Sequence, residues 1–260
     1  MRDRVEKPLS VIWRNGAPVL VVALGMIASV AAADAKAKTV SFDPTGSVAT
    51  YAIAINSGGS IAGYYRDSAG AYHGYVRDSK GTITSFDVAS ATNTNPRGIN
   101  DKGTISGFYK DAGNVQHGFV RTSDGTITSF DPKGSINTQG VGITDKGTVT
   151  GYYEDSSDIW HGFTRTSAGK IKAFSVSNAI ATYGIGINAK NTVAGYWEDS
   201  GDVIHGFTRN SKGKITSFDV SGATFTVAES INSKSVITGY YQDDSGVRHG
   251  YVRDNTGTIT

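Results

Sequence analysis

GTISGFYKDAGNVQHGFVR, residues Gly103 to Arg121, decides the reading of this chain, because four other stretches copy it. All five histidines, His73, His117, His161, His205 and His249, fall in these copies, each 44 residues after the last. Around them the copies share Thr50, Thr94, Thr138, Thr182 and Thr226, the isoleucines from Ile55 to Ile231, and an Asp six residues before each His. A strict period of this length is that of a four-stranded propeller blade.

Working outward, each period divides into four short strand signals separated by turn chemistry. In the second copy these are Arg97–Asn100, Thr104–Lys110, His117–Thr122 and Thr126–Asp131, rich in β-branched and aromatic residues. Nothing in the repeat has helical periodicity. The first strand carries small residues, such as Ala52, Ala54, Gly98, Gly140 and Gly142, which let several backbones crowd around an axis. The aromatic pairs of the second strand, Tyr64-Tyr65 through Tyr240-Tyr241, then fill the wider space between neighbouring sheets. The fold expected is an all-β, five-bladed β-propeller of 44-residue repeats.

The chain enters the repeats with TVSFDP, Thr39 to Pro44, a fourth strand with no blade before it, and stops at GTIT, a fourth strand lacking its SFD. An N-terminal outer strand that completes the last blade would close the ring and remove exposed edges. The competing reading is that further repeats follow.

Residues 1–33 read as a signal peptide: a basic start, the apolar run from Ala17, then Ala31 and Ala33 before Asp34. The alternative is an uncleaved anchor, for which the run is short and Ala-rich. Arg2, Arg4, Lys7 and Arg14 against Asp3 and Glu6 hold the whole formal charge of +2, so residues 34–260, the propeller, are neutral. Neither nucleic acid nor an anionic membrane is favoured as a partner, and no stable membrane insertion is expected after cleavage. With no cysteine, disulfides, thiolate metal sites and a Cys nucleophile are excluded. The protein expected is secreted or periplasmic, and a monomer.

GIN-DKG-TISGFY, HGFVR and GTITSFD together resemble the HAF-type extracellular repeat family, named for a histidine-small-aromatic core. That core stands here as HGY at His73 and His249 and as HGF at His117, His161 and His205. The resemblance spans residues 38–260 and implies an exported bacterial propeller of unassigned function. Gly replaces Ala in the core, a change read as mild.

The repeated Asp-His pairs, Asp67 with His73, Asp111 with His117, Asp155 with His161, Asp199 with His205 and Asp243 with His249, read as structural hydrogen bonds that hold a loop. No metal site or cofactor is assigned; calcium is the alternative reading of the Asp-rich loops, which lack EF-hand spacing. Asn56, Asn100, Asn188 and Asn232 read as Asx turns, and the repeated Arg77 to Arg253 as exposed or paired across a strand.

Function is sought where the copies differ. Loops joining strands two to three and four to one should emerge on one face, which presents Tyr51, Tyr72, Asn95, Gln116, Gln139, Trp160, Tyr183 and Arg248. Arg97 and Glu229 break an otherwise apolar position of the inner strand. Aromatic and amide side chains suit carbohydrate or protein ligands. The reading is a non-enzymatic binding propeller, with no catalytic residue assigned. The alternatives are a glycan-active enzyme, for which Glu229 is the sole inner-strand carboxylate where two are needed, and a structural or adhesive envelope module.

Overall fold

The computed structural model describes residues 39–260, and the signal peptide read at residues 1–33 lies outside them. Phe42–Thr260 form one compact unit. No helix of the described residues is long and apolar enough to cross a membrane; the elements are all β-strands.

The period predicted from sequence is a structural period. Repeat one contains strands Ala49–Ile55, Ile61–Arg66, Tyr72–Arg77 and Ile83–Phe86. Repeat two contains Asn93–Ile99, Ile105–Lys110, Gln116–Arg121 and Ile127–Phe130, each antiparallel to the one before. Repeats three and four follow the same plan from Ser135 and Ala181. Repeat five has three strands, from Ala223 to Arg253, and a single bridge between Arg253 and Ile259. One parallel bridge, Tyr72 to Asn93, links repeats one and two; Trp160 to Ala181 links three and four.

The first strand of repeat two begins at Asn93, four residues before the expected Arg97. Pro96 argues against a strand there, but it lies beside a break in register, where a missing N–H is tolerated. That break recurs. Between Ala52 and Ala54, Pro96 and Gly98, Gly184 and Gly186, and Ala228 and Ser230, one residue is left out of the ladder. The bulged residues are Ile53, Arg97, Ile185 and Glu229, with Val141 in the corresponding irregularity of repeat three.

First strands crowd as their composition implies. A Cβ on Gly98 would stand 2.6 Å from the carbonyl oxygen of Val141, and one on Gly142 2.8 Å from that of Ile185. The space between repeats is filled chiefly by third-strand rings, Tyr75, Phe119, Phe163, Phe207 and Tyr251, all buried. Interior members meet edge-on a Phe from the repeat before: Phe86 with Phe119 at 6.3 Å, Phe130 with Phe163 at 5.7 Å, Phe174 with Phe207 at 6.0 Å.

The repeated arginines correct the sequence reading. They lie over that same preceding Phe, with Arg121 4.6 Å from the Phe86 ring and Arg209 4.7 Å from Phe174. Arg165 and Arg209 are buried, and burial pulls their pKa down from the usual guanidinium value. A cation on an aromatic face ties successive repeats.

The Asn residues at the turns do more than cap. Asn100 Oδ1 accepts from the Lys102 and Thr104 amides, while its Nδ2 donates to the Thr144 carbonyl of the next repeat. Asn56 reaches Asn100 and Asn188 reaches Asn232 in the same way. Thr144 has no amide to pass the link on.

Closure by an N-terminal outer strand is not what the structure forms. Residues 39–44 are not in a strand, and Phe42 packs on Tyr75 at 6.0 Å and under Arg77 at 4.8 Å, the place a preceding repeat would occupy. Repeat five instead pairs Val252 with Thr260 through two backbone bonds. Gly250 has no ring above it, whereas Gly74 and Gly118 lie under Phe86 and Phe130. Phe42 cannot serve both ends in this arrangement.

Candidate functional site

Adjacent aromatic residues of a strand point to opposite faces, and this divides the second-strand pairs. Tyr65, Tyr109, Tyr153, Trp197 and Tyr241 stack on the histidine of their own sheet, at centroid distances of 4.5 to 5.1 Å. Tyr64, Tyr152, Tyr196 and Tyr240 face the other way, where they meet the residues that vary among copies.

The largest assembly crosses repeats two to four. Gln116 begins a third strand and Gln139 lies in the next first strand; the Gln139 Nε2 donates to the Gln116 Oε1 at 2.5 Å. The Tyr152 hydroxyl donates to the Gln139 Oε1 at 2.7 Å. Tyr152 meets Trp160 edge-on at 5.5 Å and Tyr183 at 5.0 Å, Trp160 lies 5.9 Å from Tyr183, and Tyr183 lies 4.8 Å from Tyr196. Burial raises the Tyr152 pKa and pushes that of Tyr183 to about 12, with the nearby Glu198 and Glu154 carboxylates adding to the latter. Both phenols are therefore neutral donors at ordinary pH. Glu154 and Glu198 were missed by the sequence reading; they lie at the ends of the second strands of repeats three and four. Glu154 accepts from Asn137 Nδ2 at 2.7 Å.

Two smaller sets share this design. In repeat one Tyr51 stacks on Tyr64 at 4.9 Å, and Tyr64 meets Tyr72 edge-on at 5.6 Å. In repeat five the exposed Arg248 lies 5.5 Å from the Phe225 ring and 5.4 Å from Tyr240. Asn95 joins neither set; it stands half-buried, opposite Phe108 in the ladder.

Arg97 and Glu229 belong to none of these sets, although the charges of both reach Tyr152. With Ile53, Val141 and Ile185 they line a cavity of about 470 Å³, to which the first strand of every repeat contributes. The five residues are the bulge positions described above.

The structure brings each histidine to its Asp: His73 Nε2 is 3.3 Å from Asp67 Oδ2, and His161 Nε2 2.9 Å from Asp155 Oδ2. In four of the five repeats the other ring nitrogen finds a partner the sequence reading overlooked, 14 residues on: Asp87 at 2.9 Å, Asp131 at 2.8 Å, Ser175 at 2.7 Å and Asp219 at 3.0 Å. The Asp of SFD, recurring at fixed distance from His, was the available signal. The remaining oxygen of each loop Asp accepts turn amides, as Asp67 does from Ala71 and Asp199 from Gly201 and Val203. Each of those four imidazoles is thus oriented from both sides within a repeat. Among the described residues no three His, Cys, Asp or Glu side chains converge as metal ligands.

No family model matches this chain, and no curated protein does. Solved β-propellers do match in fold. TolB from Acinetobacter baumannii superposes with a TM-score of 0.59 at 16% identity, over 77% of this chain and 52% of that one. The six-bladed fucose lectin of Aleuria aurantia superposes at 0.50 and 15% identity, covering 81% of this chain and 75% of that one. SapL1 lectin, solved with alpha methyl fucoside, gives 0.50 and 14% identity over 81% and 78%. This chain spans about half the length of the TolB structure. The fold is that of a β-propeller.

Proposed function

We propose that this chain is an exported, non-catalytic propeller of five blades that binds carbohydrate or protein on its loop-rich face, with a saccharide favoured at the assembly across repeats two to four. The observation that carries this reading is the convergence of Gln116, Gln139, Trp160 and Tyr183, drawn from three repeats at positions the repeat itself leaves free, on the repeated aromatic Tyr152. Aromatic faces offer an apolar platform, amides and neutral phenols offer donors and acceptors, and Glu154 and Glu198 offer acceptors for hydroxyl groups. The fucose-bound lectin neighbours support the reading by fold analogy alone. Export rests on the leader-like residues 1–33.

The test is a glycan array followed by calorimetry on the chain and on Trp160→Ala with Tyr183→Ala. The pair should weaken the strongest saccharide by about tenfold or more, as loss of a central aromatic anchor does. Unchanged affinity with the fold intact would remove this face from consideration.

A further inference from the structure

The cavity lined by Arg97 and Glu229 is built by a repeated irregularity. At one position in each first strand the ladder gains an extra residue, and a bulge re-aims a side chain. All five such residues line one cavity of about 470 Å³, a volume suited to a small ligand. Three are aliphatic, Ile53, Val141 and Ile185, and two carry opposite charges, Arg97 in repeat two and Glu229 in repeat five. Every ion pair among the described residues involves a histidine, so Arg97 and Glu229 pair neither with each other nor with another charge. Both belong to one cavity, and two repeats separate them along the chain.

We propose that this cavity binds a short zwitterionic peptide, its carboxylate held by Arg97 and its ammonium by Glu229, with apolar side chains against Ile53, Val141 and Ile185. A guanidinium forks onto a carboxylate by two parallel hydrogen bonds. An anion alone would meet Glu229 as a like charge, and a cation would meet Arg97. A neutral sugar leaves both charges without counterpart and sets its hydroxyls on an aliphatic wall. Charges on separate repeats call for ligand termini separated by more than one α-carbon, hence a peptide rather than a single amino acid. The cavity adjoins the aromatic assembly, since the charges of Arg97 and Glu229 reach Tyr152, but the groups that hold the peptide termini are not those proposed to hold a saccharide, so blocked peptides test it separately.

The experiment is calorimetric titration of the full chain with the dipeptide Leu-Leu, its N-acetyl form and its C-amide. Leu-Leu should bind, and each blocked form should bind about tenfold or more weakly, the loss expected for one charge-assisted hydrogen-bonded contact. Glu229→Gln should weaken Leu-Leu similarly yet be indifferent to acetylation, and Arg97→Gln should be indifferent to amidation. Arg97→Lys, which keeps the charge, should regain sensitivity to amidation. Absence of Leu-Leu binding to the unaltered chain would overturn the proposal, as would blocked peptides that bind like the parent. So would variants that weaken all three peptides equally.

Discussion

Truncation of two equivalent phenylalanines, Phe86 and Phe42, tests how the array ends. Phe86 lies between two sheets. Its ring sits over Gly74 of its own repeat, where a Cβ would stand 2.9 Å away, and it meets Phe119 of the next repeat at 6.3 Å beneath Arg121 at 4.6 Å. Phe42 has only the second half of these contacts, Tyr75 at 6.0 Å and Arg77 at 4.8 Å. A fully buried Phe→Ala change costs ~3–5 kcal/mol, from lost burial and the cavity left behind, and the partly buried Phe86 falls at the lower end. At Phe42 the terms are an edge-to-face pair of ~0.5–1.5 kcal/mol and a partly exposed cation–π contact of ~0.5–1 kcal/mol. Phe42→Ala should therefore cost about 1–2.5 kcal/mol, less than Phe86→Ala. Urea unfolding followed by tryptophan fluorescence and far-ultraviolet dichroism gives both values, provided the probes coincide and the slopes match. Equal costs would refute the open arrangement, because they would require Phe42 to be bedded on a second sheet, as it would be if it lay over Gly250 in a closed ring.

Three further predictions use the same repeat logic. Gly118→Ala should cost ~1–3 kcal/mol by overpacking, since its Cβ would meet the Phe130 ring at 2.6 Å, whereas Gly250→Ala, with only a backbone oxygen at 3.9 Å, should be close to neutral in the same denaturation assay. Thr144→Asn should extend the Asn link to repeat four and raise stability by ~0.5–1.5 kcal/mol, the net value of one hydrogen bond; a midpoint that does not move would show the gap is not a missing donor. At His73, burial opposes the charged form, but bonds to Asp87 and Asp67 outweigh it and raise the pKa above 6.5; His117 behaves likewise through Asp131 and Asp111. The bond to His73 lowers Asp67 below 3.8, and turn amides with His117 lower Asp111. The histidine contribution is then fully present below pH 6.5 and lost as pH rises through the raised value, while the Asp contribution is present above pH 3.8 and lost as pH falls through the lowered one. Stability from these pairs should peak between those limits, and replacing His73 and His117 by Gln should flatten the decline on the alkaline side of a melting-temperature profile.

The 44-residue period made the fold legible because most strands, turns and glycines recur from copy to copy, so that a shared residue could be separated from an incidental one without any relative. It also showed where to look for a site, since Gln116, Gln139, Trp160 and Tyr183 stand where the copies disagree, and the structure gathers them. What the period could not convey is contact between copies. Arg121 on Phe86 and Asn100 on Thr144 join residues of different repeats, and each looks self-sufficient inside its own copy. The Gly of the His-Gly pair shows the same limit: exchange with Ala reads as mild from side-chain size, yet the ring of Phe130 closes over Gly118, as that of Phe86 does over Gly74.

The bulge had the weakest signature and the largest consequence. It arises from pairing register, which depends on two strands at once, so neither Arg97 nor Glu229 announces that it will leave the ladder. Pro96 is the nearest signal, and taken alone it marks the end of structure as readily as an irregular strand. Because the bulge recurs where first strands crowd one another, it serves the fold first: an extra residue bends the strand. Its side chain is then free of the ladder, with only the cavity constraining it. The repeat thus constrains the backbone at five positions and leaves the chemistry of each open, which is how three aliphatic residues, one cation and one anion come to line a single space.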